Sequence, residues 1–83
     1  MSSQNCCLLR LRVVADADLG ALARVLERFQ NLNVLPRSIV GEFGAGTYNI
    51  QVDTADVSEQ TMTLIASKLG EVPCVLQAYW HYA

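Results

Sequence analysis

The period of the apolar residues changes around Asp16, and that change decides what the first third of the chain can become. Before it, Leu9, Leu11 and Val13 alternate with Arg10 and Arg12, a period of two that describes a strand with one buried face. After it, Leu19, Leu22, Leu26 and Phe29 recur at three and four residues. Ala23 and Val25 flank them, and Arg24, Glu27, Arg28 and Gln30 fall mostly opposite. That is an amphipathic helix of roughly four turns. Asp18 stands where the helix needs an N-cap, its carboxylate accepting from free amides of the first turn. Gly20 would let the helix approach the sheet closely. Such a turn also aims backbone N–H groups outward at the positive end of a helix dipole, which suits the carboxylate of a small ligand. Capping alone accounts for Asp18; a ligand site needs a second surface to close over the turn.

The helix ends near Asn31–Asn33, where asparagine tolerates the left-handed C-terminal position. A second strand runs from about Leu35 to Glu42, and Pro36, which lacks a ladder donor, marks it as an edge. Phe43-Gly44-Ala45-Gly46 is a short turn with two glycines to supply positive φ. Thr47–Asp53 then alternates, with Tyr48, Ile50 and Val52 facing inward, so the second and third strands form a hairpin. Ser58 starts a second helix, with Asp56 as another candidate cap. Met62, Ile65, Ala66 and Leu69 make its buried face, Gly70 ends it and Pro73 bars its continuation. Val75–Tyr82 closes the chain as a strand rich in aromatics. The order βαββαβ, with right-handed crossovers, puts both helices on one face of an antiparallel sheet of order 4-1-3-2. This is the α+β ferredoxin-like sandwich, expected as a single domain over residues 1–83 with residues 1–6 flexible. Many unrelated functions use this scaffold, so the site must argue the function.

An 83-residue chain builds one core. With 52% hydrophobic and only 17% charged residues, it carries more apolar surface than a monomer of this size hides. Burial against another chain is the natural remedy, and the unprotected second strand invites it. Two copies joined through their second strands form a continuous eight-stranded sheet. The turn of one copy, Asp16, Ala17, Asp18, Leu19, Gly20 and Ala21, then faces the start of the second strand in the other. A small amino acid could sit between them, its carboxylate on the helix amides and its ammonium near an Asp.

The net charge of −2 includes no basic run, which argues against nucleic acid and anionic membrane. No stretch of 18 apolar residues occurs and the N-terminus lacks a positive n-region, so a cytoplasmic protein is expected. Cys6, Cys7 and Cys74 are odd in number and lack Cys-x-x-Cys spacing, so they read as buried thiols and not as a disulfide framework or zinc site. The one histidine, His81, has no catalytic companions. Antiparallel pairing of the first and last strands puts Cys6 and Cys7 near it and Cys74 at the opposite end. Neither catalytic residues, metal nor cofactor are expected. RNA-binding domains of this strand order need stacking aromatics on the central strands, where Tyr48 alone stands. Metal chaperones of this fold need a cysteine pair in the loop that here holds Asp16 and Asp18. Tyr79, Trp80 and Tyr82 read equally well as edge packing or as a partner-docking patch.

Gly20-Ala21-Leu22-Ala23-Arg24-Val25, after an apolar strand and followed by Phe29, is similar to the Gly-x-Leu-x-x-Val pattern of ACT domains, the small regulatory modules of amino-acid metabolism. The resemblance continues through Asn33-Val34-Leu35-Pro36-Arg37-Ser38-Ile39, Tyr48–Val52 and Leu69–Val72, about residues 8 to 80 in all. Ala17, Leu19, Asn33 and Leu35 depart from the family pattern, which carries Asp or Asn at the first, Pro or a small polar residue at the second, glycine at the third and Asn at the fourth. The chain most resembles the single-domain small subunits of acetolactate synthase. The resemblance implies a non-catalytic regulatory subunit that binds a large catalytic subunit, to which thiamine diphosphate belongs. It implies an effector, a branched-chain amino acid, held at a homodimer interface by Asp16–Ala21 of one copy and Asn33, Val34, Leu35 and Pro36 of the other. A stand-alone amino-acid sensor acting on another enzyme, and a dimerisation module whose site has decayed, are the alternatives.

Overall fold

The computed structural model describes residues 8–83. Its elements are β1 (Leu9–Asp16), α1 (Leu19–Asn31), β2 (Ser38–Gly44), β3 (Thr47–Thr54), α2 (Glu59–Gly70) and β4 (Val75–Tyr82). The four strands form one antiparallel sheet in the order β2-β3-β1-β4, the expected 4-1-3-2 read from the other edge. The expected flexibility of residues 1–6, and the approach of Cys6 and Cys7 to His81, lie outside the described residues. No described helix is long and apolar enough to cross a membrane.

The alternation in β1 sorts the sheet into two faces. Leu9, Leu11, Val13 and Ala15 are buried, and their cross-strand neighbours on β3 include Val52 opposite Leu11 and Ile50 opposite Val13. Ala21, Val25 and Phe29 of α1 and Met62, Ile65 and Leu69 of α2 join them in one core. Both helices therefore cover the same face. The opposite face is open and polar. There Arg10 pairs with Asp53 through Nε to Oδ1 at 2.8 Å and Nη2 to Oδ2 at 3.1 Å. That guanidinium holds the Asp53 carboxyl below the usual carboxylate range, against the opposing effect of burial.

Both ends of α1 form as the sequence predicts. Asp18 (φ −132°, ψ 128°) accepts from the Gly20 amide at 2.8 Å. At the other end Asn33 takes φ +58°. Its N–H donates to the Gln30 carbonyl at 3.0 Å, and that of Val34 to the Phe29 carbonyl at 2.9 Å. This 5→2 and 6→1 pair is a Schellman stop, which satisfies carbonyls that the helix would otherwise leave free.

Several local expectations are corrected or sharpened. The buried stripe of α1 is Ala21-Val25-Phe29, whereas Leu19 is 98% exposed, Leu26 is 38% exposed and Leu22 is half-buried. At 100° per residue the stripe's centre lies about a third of a turn from Leu19 and a little over a quarter turn from Leu26. Gly20 does not admit the sheet, since an added Cβ would meet only the Asp18 side chain, at 3.4 Å; Ala21 is the small residue in the core. β2 starts at Ser38, so Leu35 and Pro36 precede it. Pairing begins where the Arg37 N–H donates to the Asp53 carbonyl at 2.7 Å. In the hairpin the two turn residues are Ala45 (φ +54°) and Gly46 (φ +79°), and Gly44 still pairs with Thr47. Finally, the last strand's aromatics divide between faces. Trp80 packs on the core, meets Tyr82 edge-to-face and donates Nε1 to Thr63 Oγ1 at 2.9 Å, while Tyr79 stacks on His81 on the open face.

Candidate ligand-binding site

The turn between β1 and α1 is held at its base by the Asp16 N–H, which donates to the Cys74 carbonyl at 2.8 Å. This contact follows a register shift between Val14 and Ala15 and anchors the end of β1 to the start of β4. Ala17 and Asp18 then cross to the helix. The Asp18 carboxylate occupies the Gly20 amide, and the Asp18 carbonyl accepts from the Ala21 N–H at 3.0 Å. The cap thus already takes part of the anion role that the turn could offer a ligand. Asp16 is exposed and makes no side-chain ion pair among the described residues. Its carboxylate stands at the edge of the turn and is not among the groups that line the adjoining cleft.

Beside this turn lies an open cleft of about 550 Å³. Ala17, Asp18, Leu19 and Leu22 form one wall, and Gly41, Phe43 and Tyr48 of the β2–β3 hairpin form the other. Its chemistry is mostly apolar, with Asp18 and Tyr48 as its polar side chains. Tyr48 lies over β2 at Gly41, where a Cβ would come to 2.6 Å from the hydroxyl oxygen and 3.0 Å from the ring. Glycine at that position is what lets the ring lie flat on the strand. Gly41, Phe43 and Tyr48 were missing from the sequence-derived site. A glycine inside a strand marks a close approach, and that was the available signal.

Of the residues expected to bind an effector, Ala17, Asp18 and Leu19 line this cleft. Gly20 turns toward a neighbouring groove with Arg24, Arg28 and Cys74, and Ala21 is fully buried. Asn33, Val34, Leu35 and Pro36 gather at the far end of α1, around a depression of about 330 Å³ shared with Leu26 and Phe29. A helix of 13 residues puts about 20 Å between the two groups. Within one protomer they do not form one site.

Several of the uncovered apolar residues border β2, while others, Leu64 on α2 and Leu76, Tyr79 and Tyr82 on β4, lie elsewhere. Leu19 and Leu26 spill from α1 toward β2, Leu35 is 89% exposed before it, and Phe43 is 70% exposed at its end. Ile39 of β2, on the helix side of the sheet, is also exposed. These residues border β2, one of the sheet's two edge strands, β4 being the other.

No protein-family model and no curated protein sequence matches this chain. Solved structures do. The ACT domain from GTP pyrophosphokinase of Chlorobium tepidum superposes with a TM-score of 0.76 at 17% identity, over 93% of this chain and 100% of that one. The C-terminal domain of the MgtC protein from Mycobacterium tuberculosis gives 0.76 at 12% identity, over 100% and 94%. An ACT domain protein from Streptococcus pneumoniae gives 0.74 at 16%, over 95% and 92%. At these identities the likeness is one of fold: the chain has the βαββαβ sandwich of ACT domains.

Proposed function

We propose that this protein is a non-catalytic regulatory domain that dimerises along β2 and holds a small amino acid against the α1 turn. The observation that carries the reading is the coincidence of the uncovered apolar strip with the unpaired β2 edge and the mouth of the cleft. Joining two β2 edges would satisfy the free backbone groups and cover the strip in one step. Residues from two copies are needed to bring Asp16–Leu19 and Asn33–Pro36 together. The apolar cleft walls favour an effector with a hydrophobic side chain, and Asp16 offers a partner for its ammonium. The partner we assign is the large, thiamine-diphosphate-dependent subunit of acetolactate synthase, on the resemblance of Gly20–Val25 and of the Asn33–Ile39 segment. The test is co-purification with that subunit and its activity with and without added valine. A large subunit that elutes alone and is unchanged in rate would sink this assignment.

The fold shared with the ACT domain of a GTP pyrophosphokinase supports a second reading, an amino-acid sensor acting on a different enzyme. Calorimetry with the twenty amino acids separates the two. Saturable binding of one outside the branched-chain set favours the sensor. Binding of none at millimolar concentration leaves the dimerisation module.

A further inference from the structure

The open face of the sheet, away from both helices, holds two opposite charges that form no ion pair among the described residues, although Arg12 also acts at longer range on Asp53. Arg12 is half-buried on central strand β1 and forms no ion pair among the described residues, in contrast to Arg10, which Asp53 closes. The Arg12 Nε donates to His81 Nε2 at 3.3 Å, and His81 Nδ1 lies 2.8 Å from the Tyr82 carbonyl. An imidazole that accepts at Nε2 carries its proton at Nδ1, so this pair of contacts is mutually consistent. It engages the guanidinium at its Nε, and no hydrogen bond among the described residues occupies either Nη group, the donors that grip a carboxylate.

Gln51 lies opposite Arg12 on one side and Tyr79 on the other, with Val40 beyond Gln51. Glu42 and Asn49 pair one step further along the same face. Together these six border a groove of about 130 Å³, the bulk of about four water molecules. Glu42 is exposed and also forms no ion pair among the described residues. One strand separates β1 from β2, so the rows that carry the two charges stand about 10 Å apart. Two long side chains with a small molecule between them span that distance.

We propose that this groove is a second ligand site, which takes a small zwitterion. Arg12 holds the carboxylate, Glu42 faces the ammonium, and the Asn49 and Gln51 amides line the floor. The site lies on the opposite side of the sheet from the α1 turn and does not rest on the function proposed above.

The experiment is a titration of the full chain with glycine and, separately, with acetate, followed by ¹⁵N NMR at the Arg12 Nε–H and the Asn49 and Gln51 side-chain amides. Glycine is expected to move all three saturably at millimolar concentration, and acetate to move Arg12 with at least threefold weaker affinity. Arg12→Gln and Arg12→Lys should each lose glycine binding at least tenfold; the lysine keeps the charge without the fork. The backbone spectrum of each variant confirms that it is folded. Glu42→Gln should weaken glycine at least threefold and leave acetate unchanged. Asp18→Ala, which alters only the α1 turn, should change neither. The proposal is overturned if no saturable shift occurs, if folded Arg12→Lys binds glycine as the parent does, or if Glu42→Gln leaves glycine affinity intact. Loss of a valine response in Asp18→Ala with these glycine shifts intact would bear on the α1 turn alone.

Discussion

Replacing Phe43 with threonine tests whether the strip beside β2 is a dimer surface. Burying a phenylalanine side chain fully is worth about 1.5–3 kcal/mol. Phe43 is 70% exposed in the protomer, so covering it should contribute about 1–2 kcal/mol per chain. A two-fold dimer covers it twice, which makes the expected loss about 2–4 kcal/mol, or a dissociation constant raised about 30- to 1,000-fold. Threonine keeps the preference for extended backbone, so β2 itself should persist. Because the ring is mostly in solvent in the single chain, unfolding of the dilute monomer should shift by no more than about 0.5 kcal/mol. Sedimentation equilibrium over a dilution series reads the first quantity, and urea unfolding at the lowest concentration reads the second. A variant that dissociates at the same concentration as the parent would refute the argument, because it would mean that Phe43 stays exposed in whatever assembly forms.

Three further outcomes are expected. Phe29→Ala should cost about 3–5 kcal/mol in urea unfolding, whereas Leu19→Ala should fall within about 0.5 kcal/mol in dilute monomer; equal losses would contradict the orientation of α1. Ala45→Asn should stabilise the hairpin by about 1 kcal/mol, since a left-handed alanine costs about 1–2 kcal/mol and asparagine relieves most of it. For a domain of this size that raises the melting temperature by about 4–8 °C. Because the Arg10 guanidinium depresses the Asp53 carboxyl, its stabilisation is complete above the unfolded value of about 3.9 and drains away as pH falls through the lower, folded one. Asp53→Asn should therefore flatten the acid limb of a stability-versus-pH curve, and an unchanged limb would show that the pair carries no proton linkage.

What could be read from the sequence was whatever short-range chemistry decides. Asp18 and Asn33 bracket α1 because one offers a carboxylate to first-turn amides and the other accepts positive φ, and both requirements are local. The alternation of β1 and β3 decided which residues face the core. The helix face was harder, because Leu19-Leu22-Leu26-Phe29 and Ala21-Val25-Phe29 are both apolar rows at helical spacing and share an end. Sequence spacing ranks the larger leucines first. The fold instead buries the Ala21-Val25-Phe29 row in the common core, and Leu19 and Leu26 were left facing the β2 side. The cleft was half legible for a related reason. Ala17, Asp18 and Leu19 come from one turn, but Gly41, Phe43 and Tyr48 reach it only through the strand order. The open-face groove depends still more on register, since Arg12, Gln51 and Tyr79 are neighbours only once three strands are aligned.

The placement of Trp80 has a spectroscopic consequence. It is the chain's one tryptophan, half-buried on β4 and tethered to Thr63 of α2. Three strand spacings, about 14 Å, separate β4 from β2. Its fluorescence should therefore follow the parting of α2 from the sheet and remain nearly blind to events at the β2 edge. Intensity that holds steady on dilution while mass falls would mark dissociation of intact domains. A red shift that tracks the fall in mass would mark a chain that cannot stay folded alone.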